Sequence, residues 1–215
     1  MEIQHIDTEV LSSRRHEVQV LRVESPLLMW VRFRAREADL VNLLADLEIN
    51  VARGGREIIL WPHQVTDGVL VAARYRRQWQ RGVVTHINQD RGRALISLGD
   101  WGRKIWVPYQ GLRTLGAQYH QLPWQAVACG LAHTGPSIPS DRWPSKTRAL
   151  CRLIAEGEDG WVRFRYPVRP GVAHVDLEIT RHGDHRRSFC LREALTNLGH
   201  VREERHITVD TFPAI

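Results

Sequence analysis

Apolar and polar residues trade places at every second position in EVQVLRV (residues 17–23), the period of a half-buried strand. A turn at Ser25-Pro26 leads into LLMWVRF (27–33), a second strand, so the two predict a hairpin-like pair. The period then lengthens. In READLVNLLADLE (36–48), Leu40, Leu44 and Leu47 recur at i, i+4 and i+7, and Val41 and Leu43 widen the stripe, which predicts an amphipathic helix. IILWPHQVTDG (58–68) reads as extended chain, broken by Pro62 and closed by Asp67-Gly68.

Four short strands follow: VLVAARY (69–75), RGVVTHI (81–87), RALISL (93–98) and KIWVP (104–108). NQDRG and GDWGR between them are hairpin chemistry. Strands this short and this closely spaced predict a small closed barrel of the SH3 kind, because closure removes exposed edges. Beyond Pro136 a helix is predicted around Trp143, Thr147, Leu150 and Ile154, with Ser140 or Asp141 as its cap. WVRFRY (161–166) and VAHVDLEIT (172–180) are strands, and FCLREALTNLG (189–199) is a final helix stopped at Gly199. The first strand pair has too little surface to stand alone and is expected to pair with the late strands. The result is a second, OB-like barrel into which the first is inserted.

Charge sharpens this picture. The chain of 215 residues has a net charge of +6. Residues 67–136 hold nine Lys or Arg against Asp67, Asp90 and Asp100, so the middle third carries the whole excess and would draw an acidic partner. Cys129, Cys151 and Cys190 are odd in number and lack metal-binding spacing, which favours a reducing compartment. The first 16 residues have no apolar core of a signal peptide and read as an unstructured lead. The apolar runs are too short for a bilayer-spanning helix, and no membrane partner is expected.

The order of GVLVAARYRRQWQRGVV, ALISLGDWGRK, IWVPYQGLRTL and QYHQLPWQAVACGL resembles the extended Tudor domain. In that family an SH3-like Tudor barrel is inserted into an OB-like barrel of the staphylococcal-nuclease (SN) kind. The resemblance spans residues 17–200 and implies a mainly β fold with flanking helices. It assigns 17–66 and 137–200 to the SN-like subdomain, 67–136 to the Tudor barrel with its connector, and 1–16 and 201–215 to terminal extensions. Members commonly hold methylated arginine from the tails of PIWI-type Argonautes in an aromatic cage, by cation–π attraction. Carried over position by position, the cage falls on Tyr75, Gln80, Leu98, Trp101 and Arg103. Two of four walls stay aromatic, and the polar Asn of the family becomes Arg103.

A guanidinium at the cage mouth opposes a cationic ligand. At ~4 Å the repulsion is about 1 kcal/mol in water and about 4 at an effective dielectric of 20. A cation–π contact contributes only ~0.5–2 kcal/mol. The resemblance therefore implies a non-catalytic, cofactor-free module of a germline small-RNA (piRNA) scaffold, binding a protein segment independently of arginine methylation. The partner is a PIWI-type Argonaute tail or another factor of that pathway. The implied location is the cytoplasm, including perinuclear ribonucleoprotein granules (nuage). Symmetric-dimethylarginine reading is one alternative. RNA binding is the other, because Arg74, Arg76, Arg77 and Arg81 interleave with Tyr75 and Trp79.

Partner contact is expected at Trp79, Arg76, Arg77, Arg81 and Trp106, since aromatics and Arg dominate interface hot spots. Trp30, Trp61, Trp143 and Trp161 are expected in cores, and Trp124 at a structural junction. RHGDHRR (181–187) places His182, Asp184 and His185 together in a polar turn, read as a solvated loop rather than a metal site. His174, Asp176 and Glu178 share one strand face and are read as its outer side. No phosphate loop, nucleophile elbow or zinc-protease motif is present, and no enzyme is expected.

Overall fold

The computed structural model describes residues 2–11, 14–55, 58–138, 142–180 and 188–204. RHGDHRR, the Ser140/Asp141 cap and the chain after residue 204 lie outside the described residues. In chain order the structure begins with β1 (His16–Ser25), β2 (Leu28–Phe33) and α1 (Glu37–Arg53). Then come β3 (Leu70–Tyr75), β4 (Gln78–Asn88), β5 (Arg93–Leu98), β6 (Arg103–Pro108) and β7 (Leu112–Thr114). The later part has β8 (Val127–Leu131), β9 (Thr134–Pro136), α2 (Ser145–Ala155), β10 (Asp159–Arg169) and β11 (Val172–Thr180). It ends with β12 (Ser188–Cys190), α3 (Leu191–Asn197) and β13 (Val201–Glu203).

Two compact units result. One comprises Met1–Gln4 and Arg36–Gln125, the other His5–Ala35 and Ala126–Ile215. Residues 36–125 are thus inserted in the other unit along the chain, but the boundaries differ from the expected 66/67 and 136/137. The helix α1 belongs with the inserted unit because its buried Leu47 packs with Ala72, Trp79, Leu115 and Tyr119. Residues 126–136 belong with the other unit because β8 is one of its barrel strands.

In the discontinuous unit the strands run β10-β1-β2-β8-β11-β12, and β10 also pairs with β11. That extra pairing closes β10, β1, β2, β8 and β11 into a barrel, and the β8–β11 pair is parallel. The expected union of early and late strands is seen in β1 against β10 (His16↔Val162 to Gln19↔Asp159). Gly160 of β10 is needed on its β11 side, since a Cβ there would stand 2.2 Å from the Glu178 carbonyl oxygen. The barrel is filled by Val18, Val20, Met29, Val31, Cys129, Val162, Val175, Leu177 and Ile179, capped by Cys151 and Ala155 of α2 and Leu191 and Leu195 of α3.

Several expectations are corrected here. The lead is not unstructured: Ile6 joins the barrel core and the Thr8 hydroxyl donates to the Arg169 carbonyl at 3.0 Å. Val201 is buried as well, and β13 pairs with β9, so the C-terminal extension starts later than residue 201. His174 is only 3% exposed although Asp176 and Glu178 face outward. The start of β11 is covered on that face, where Val172 packs with Leu28, Trp30 and Ala128. Trp61 and Trp161 are exposed rather than core, while Trp30 is buried and Trp143 packs against the barrel core. Among the described residues no helix is long and apolar enough to cross a membrane.

Candidate functional site

The inserted unit is a five-stranded sheet in the order β6-β5-β4-β3-β7. Its site is built from two hairpin ends. Tyr75 closes β3 and pairs with Gln78 of β4 across a two-residue turn, Arg76-Arg77. Both turn residues are left-handed, with φ of 48° and 71°. A turn with two positive φ values matches the twist of the flanking strands, but Asn-Gly is the usual choice there. At the second end Leu98 pairs with Arg103 across Gly99-Asp100-Trp101-Gly102. The Trp101 N–H donates to the Leu98 carbonyl, and Gly102 takes the positive φ of 59° that the turn requires.

Strand alternation then sorts the side chains. Val71, Ala73 and Tyr75 point to the sheet's inner face, and Gln80, paired with Ala73, points the same way. Tyr75, Leu98 and Trp101 belong to one cluster with Ile96 and Val107. The five cage positions therefore converge, but in an altered form. Leu98 is fully buried and contributes to the core. Gln80, 4% exposed, accepts the Trp101 indole N–H on Oε1 at 2.7 Å. Arg103 donates from Nη1 to the Tyr75 hydroxyl at 2.8 Å, and its guanidinium lies over the Tyr75 ring at 5.8 Å. The Arg76 guanidinium lies over the same ring at 5.3 Å. Tyr75 therefore already holds cations supplied by its own chain.

The opposite face carries Trp79 and Arg81, and here the structure corrects the expected partner contacts. Arg81 is fully buried. Its Nε and Nη2 donate to the two oxygens of Asp100 at 3.0 and 2.6 Å, and its Nη1 donates to the carbonyls of Tyr119 and Leu122 at 2.7 Å each. Nη2 also reaches the Pro123 carbonyl at 3.3 Å, and the cation lies over the Trp124 ring at 5.0 Å. Asp100 completes the network by accepting the Gln125 N–H at 3.1 Å. An arginine so placed fastens the turn bearing Trp101 to the connecting segment 119–125 and cannot touch a partner. Gly99 lets this happen: a Cβ there would stand 2.2 Å from Trp124 Cδ2.

Trp79 is 6% exposed and also leaves the exposed set. Its ring is approached by the guanidinia of Arg74 at 5.7 Å and Arg113 at 5.4 Å, and the Trp79 backbone N–H donates to Glu48 of α1 at 3.1 Å. Asp46 of the same helix accepts the Tyr119 hydroxyl at 2.8 Å. Burial first, then that hydrogen bond and the charge of Asp46, push the Tyr119 hydroxyl up to about 12. Arg76 and Arg77 are exposed at the hairpin tip. Trp106 is 42% exposed, edge-on to His86 at 5.8 Å.

The roles of Glu48, Asp46 and Arg113 were not foreseen, whereas Trp124 is buried in the structural place expected of it. The sequence held one usable signal: alternation places Arg81 on the face of Trp79, and Asp100 is the nearest acid that a folded hairpin could bring to it. Among the described residues no group of three or more His, Cys, Asp or Glu is arranged to hold a metal.

Comparison with known proteins agrees with this geometry. A search of curated protein sequences gave no match. Among solved structures, the extended Tudor domain TD3 of mouse TDRD1, in complex with a MILI peptide containing dimethylarginine, is 18% identical and superposes with a TM-score of 0.78, covering 93% of this chain and 98% of that one. The human TDRD1 extended Tudor domain, in complex with a symmetrically dimethylated E2F peptide, is 17% identical with a TM-score of 0.79, covering 94% and 96%. A variant of the Drosophila melanogaster Papi extended Tudor domain, in complex with an unmethylated Piwi N-terminal peptide, is 18% identical with a TM-score of 0.73, covering 88% and 99%. These matches establish the fold, a Tudor barrel with an SN-like OB barrel. The Tudor domain family model matches residues 11–133, more than half of the sequence, and on that ground the chain belongs to the Tudor domain family.

Proposed function

We propose that this domain is a non-catalytic module that binds a partner protein segment, a PIWI-type tail or another piRNA-pathway factor, without requiring arginine methylation. The observation that carries this reading is the Arg103–Tyr75 contact. A methylated arginine entering between Tyr75 and Trp101 must displace a guanidinium already bonded to the Tyr75 hydroxyl. A hydrogen bond from a charged donor contributes about 1.5–3 kcal/mol when well shielded, less at a half-exposed residue such as Arg103. The incoming cation–π contact returns ~0.5–2 kcal/mol. The exchange is close to neutral, so methylation gains nothing.

The Papi structure in complex with an unmethylated peptide supports the view that this fold can hold such a segment. Complexes of TDRD1 domains with dimethylated peptides support the competing reading of a methylarginine reader. The MILI and Piwi peptides held by these similar domains support the piRNA pathway as the setting, and perinuclear granules are proposed as the place of action. Calorimetry with an unmodified PIWI-tail peptide and with single-stranded RNA, at about 50 and 200 mM salt, tests the proposal. Peptide binding that persists at the higher salt supports it. RNA binding that is tighter than peptide binding at the higher salt overturns it, as does a peptide that binds only when methylated.

A further inference from the structure

The mouth of the inserted barrel carries three cations, and the carboxylates at that end are engaged elsewhere: Asp100 binds Arg81, and Glu48 of α1 accepts the Trp79 backbone N–H at 3.1 Å. Arg76 and Arg77 form the β3–β4 turn, and Arg103 opens β6 beside it. Among the described residues none of the three makes an ion pair. The acids of segment 67–136 explain why. Asp100 is buried and bonded to Arg81. Asp67 lies before β3 and Asp90 after β4, both at the far end of strands whose near end forms the mouth.

The turn itself points to a use for these charges. A non-glycine residue in the left-handed region costs roughly 1–2 kcal/mol, and here two consecutive arginines take that conformation. Such strain at a surface tip motivates a functional reading. Arg103 spends Nη1 on Tyr75, and its side chain donates no other hydrogen bond among the described residues. A guanidinium has five N–H donors in a rigid fork that matches the spacing of carboxylate or phosphate oxygens. Tyr75 thus acts as a platform that holds two guanidinia, from Arg76 and Arg103, against one ring.

We propose that this mouth has exchanged a cation ligand for an anion: it binds the carboxylate or phosphate side chain of a partner protein segment through Arg103 and Arg76. The inference rests on the protein-binding reading above and names the chemistry of the partner. A protein segment fits better than single-stranded RNA, because base stacking needs an open aromatic face. The Tyr75 ring is already covered by guanidinia, and the Trp101 indole N–H is tied to Gln80.

The test uses the full chain, labelled with nitrogen-15, and four capped Gly/Ser peptides whose central residue is serine, glutamate, phosphoserine or symmetric dimethylarginine. The glutamate and phosphoserine peptides shift the Nε–H signals of Arg103 and Arg76, phosphoserine at the lower concentration because it carries nearly two charges. The serine peptide leaves them in place. Arg103→Asn weakens phosphoserine-peptide binding by about tenfold. Arg76→Asn does the same and suits the positive φ. Arg91→Asn removes the same charge from the β4–β5 turn at the far end of the sheet, and changes binding by less than about twofold.

Equal losses in all three variants, or equal shifts with the serine peptide, overturn the inference in favour of diffuse charge. A PIWI-tail peptide that binds without moving these signals overturns the inference and leaves the protein-binding reading standing. Shifts with dimethylarginine and none with phosphoserine overturn both. A single-stranded oligouridine that moves the same signals more tightly than phosphoserine at about 200 mM salt assigns the mouth to nucleic acid and overturns the inference.

Discussion

Arg81→Met removes a cation that sits wholly out of water inside the inserted unit. The variant leaves the Asp100 carboxylate buried with the Gln125 N–H as its remaining partner, and deprives the carbonyls of Tyr119, Leu122 and Pro123 of a donor. Breaking a buried pair from one side costs about 3–5 kcal/mol, most of it the uncompensated charge. With a urea m-value of about 1–2 kcal/mol/M, the midpoint of the inserted unit falls by about 1.5–5 M. Tryptophan fluorescence reports it, since Trp124 lies directly over the guanidinium. Arg165→Met is the control: it breaks an exposed pair with Asp176 and costs less than about 1 kcal/mol. The double variant Arg81→Met with Asp100→Leu recovers part of the loss, because no buried charge remains, yet stays below the wild type because the Tyr119 and Leu122 carbonyls have lost their donor, while the Pro123 carbonyl keeps the Gln125 side-chain amide. A loss below about 1 kcal/mol for Arg81→Met, or one equal to the Arg165→Met control, refutes the reasoning.

Further expectations follow from single contacts. Gly99→Ala drives a methyl group into the Trp124 ring and lowers stability by about 1–3 kcal/mol in urea denaturation, with a changed tryptophan emission. Arg77→Gly relieves a φ of 71° and raises the urea midpoint by the equivalent of about 0.5–1 kcal/mol, while an unchanged or lower midpoint denies that the turn is strained. Burial first, then the charge of His133, hold His174 below its ordinary value. The unfolded chain therefore takes up the proton first, so stability is level at neutral pH and declines as pH falls below about 6.5. Its slope is at most about 1.4 kcal/mol per pH unit for this group, and His174→Gln flattens that part of the profile.

The strands and helices with a clear period were legible in the sequence. β1, β2, α1, β3 to β6, α2, β10, β11 and α3 all fall where alternation or the helical period puts them. What was not legible was short or set by distant pairing. β9, β12 and β13 have three residues each and exist only because a partner strand lies beside them. The membership of α1 was also hidden, because a stripe of leucines shows that a face is buried but not against what. Only the fold reveals Leu47 against Trp79 and Tyr119.

The candidate site shows the same division. Homologous position placed Tyr75, Gln80, Leu98, Trp101 and Arg103 together, and the structure brings them together. Sequence reasoning treated Arg103 as a repulsive charge at the mouth. The structure shows that it is also bonded to Tyr75, which changes a deterrent into an occupant. Arg81 was misread for a physical reason. Arginine is almost never fully buried unless paired, and its pair, Asp100, lies 19 residues away across a hairpin.

The Arg103 occupant is tested most directly by the ratio of calorimetric affinities for one PIWI-tail peptide in unmethylated and symmetrically dimethylated form. The wild-type chain is predicted to bind the two within about twofold. A preference of tenfold or more for the dimethylated peptide, about 1.4 kcal/mol, contradicts the account, because Arg103 would then have to leave Tyr75 at no net cost.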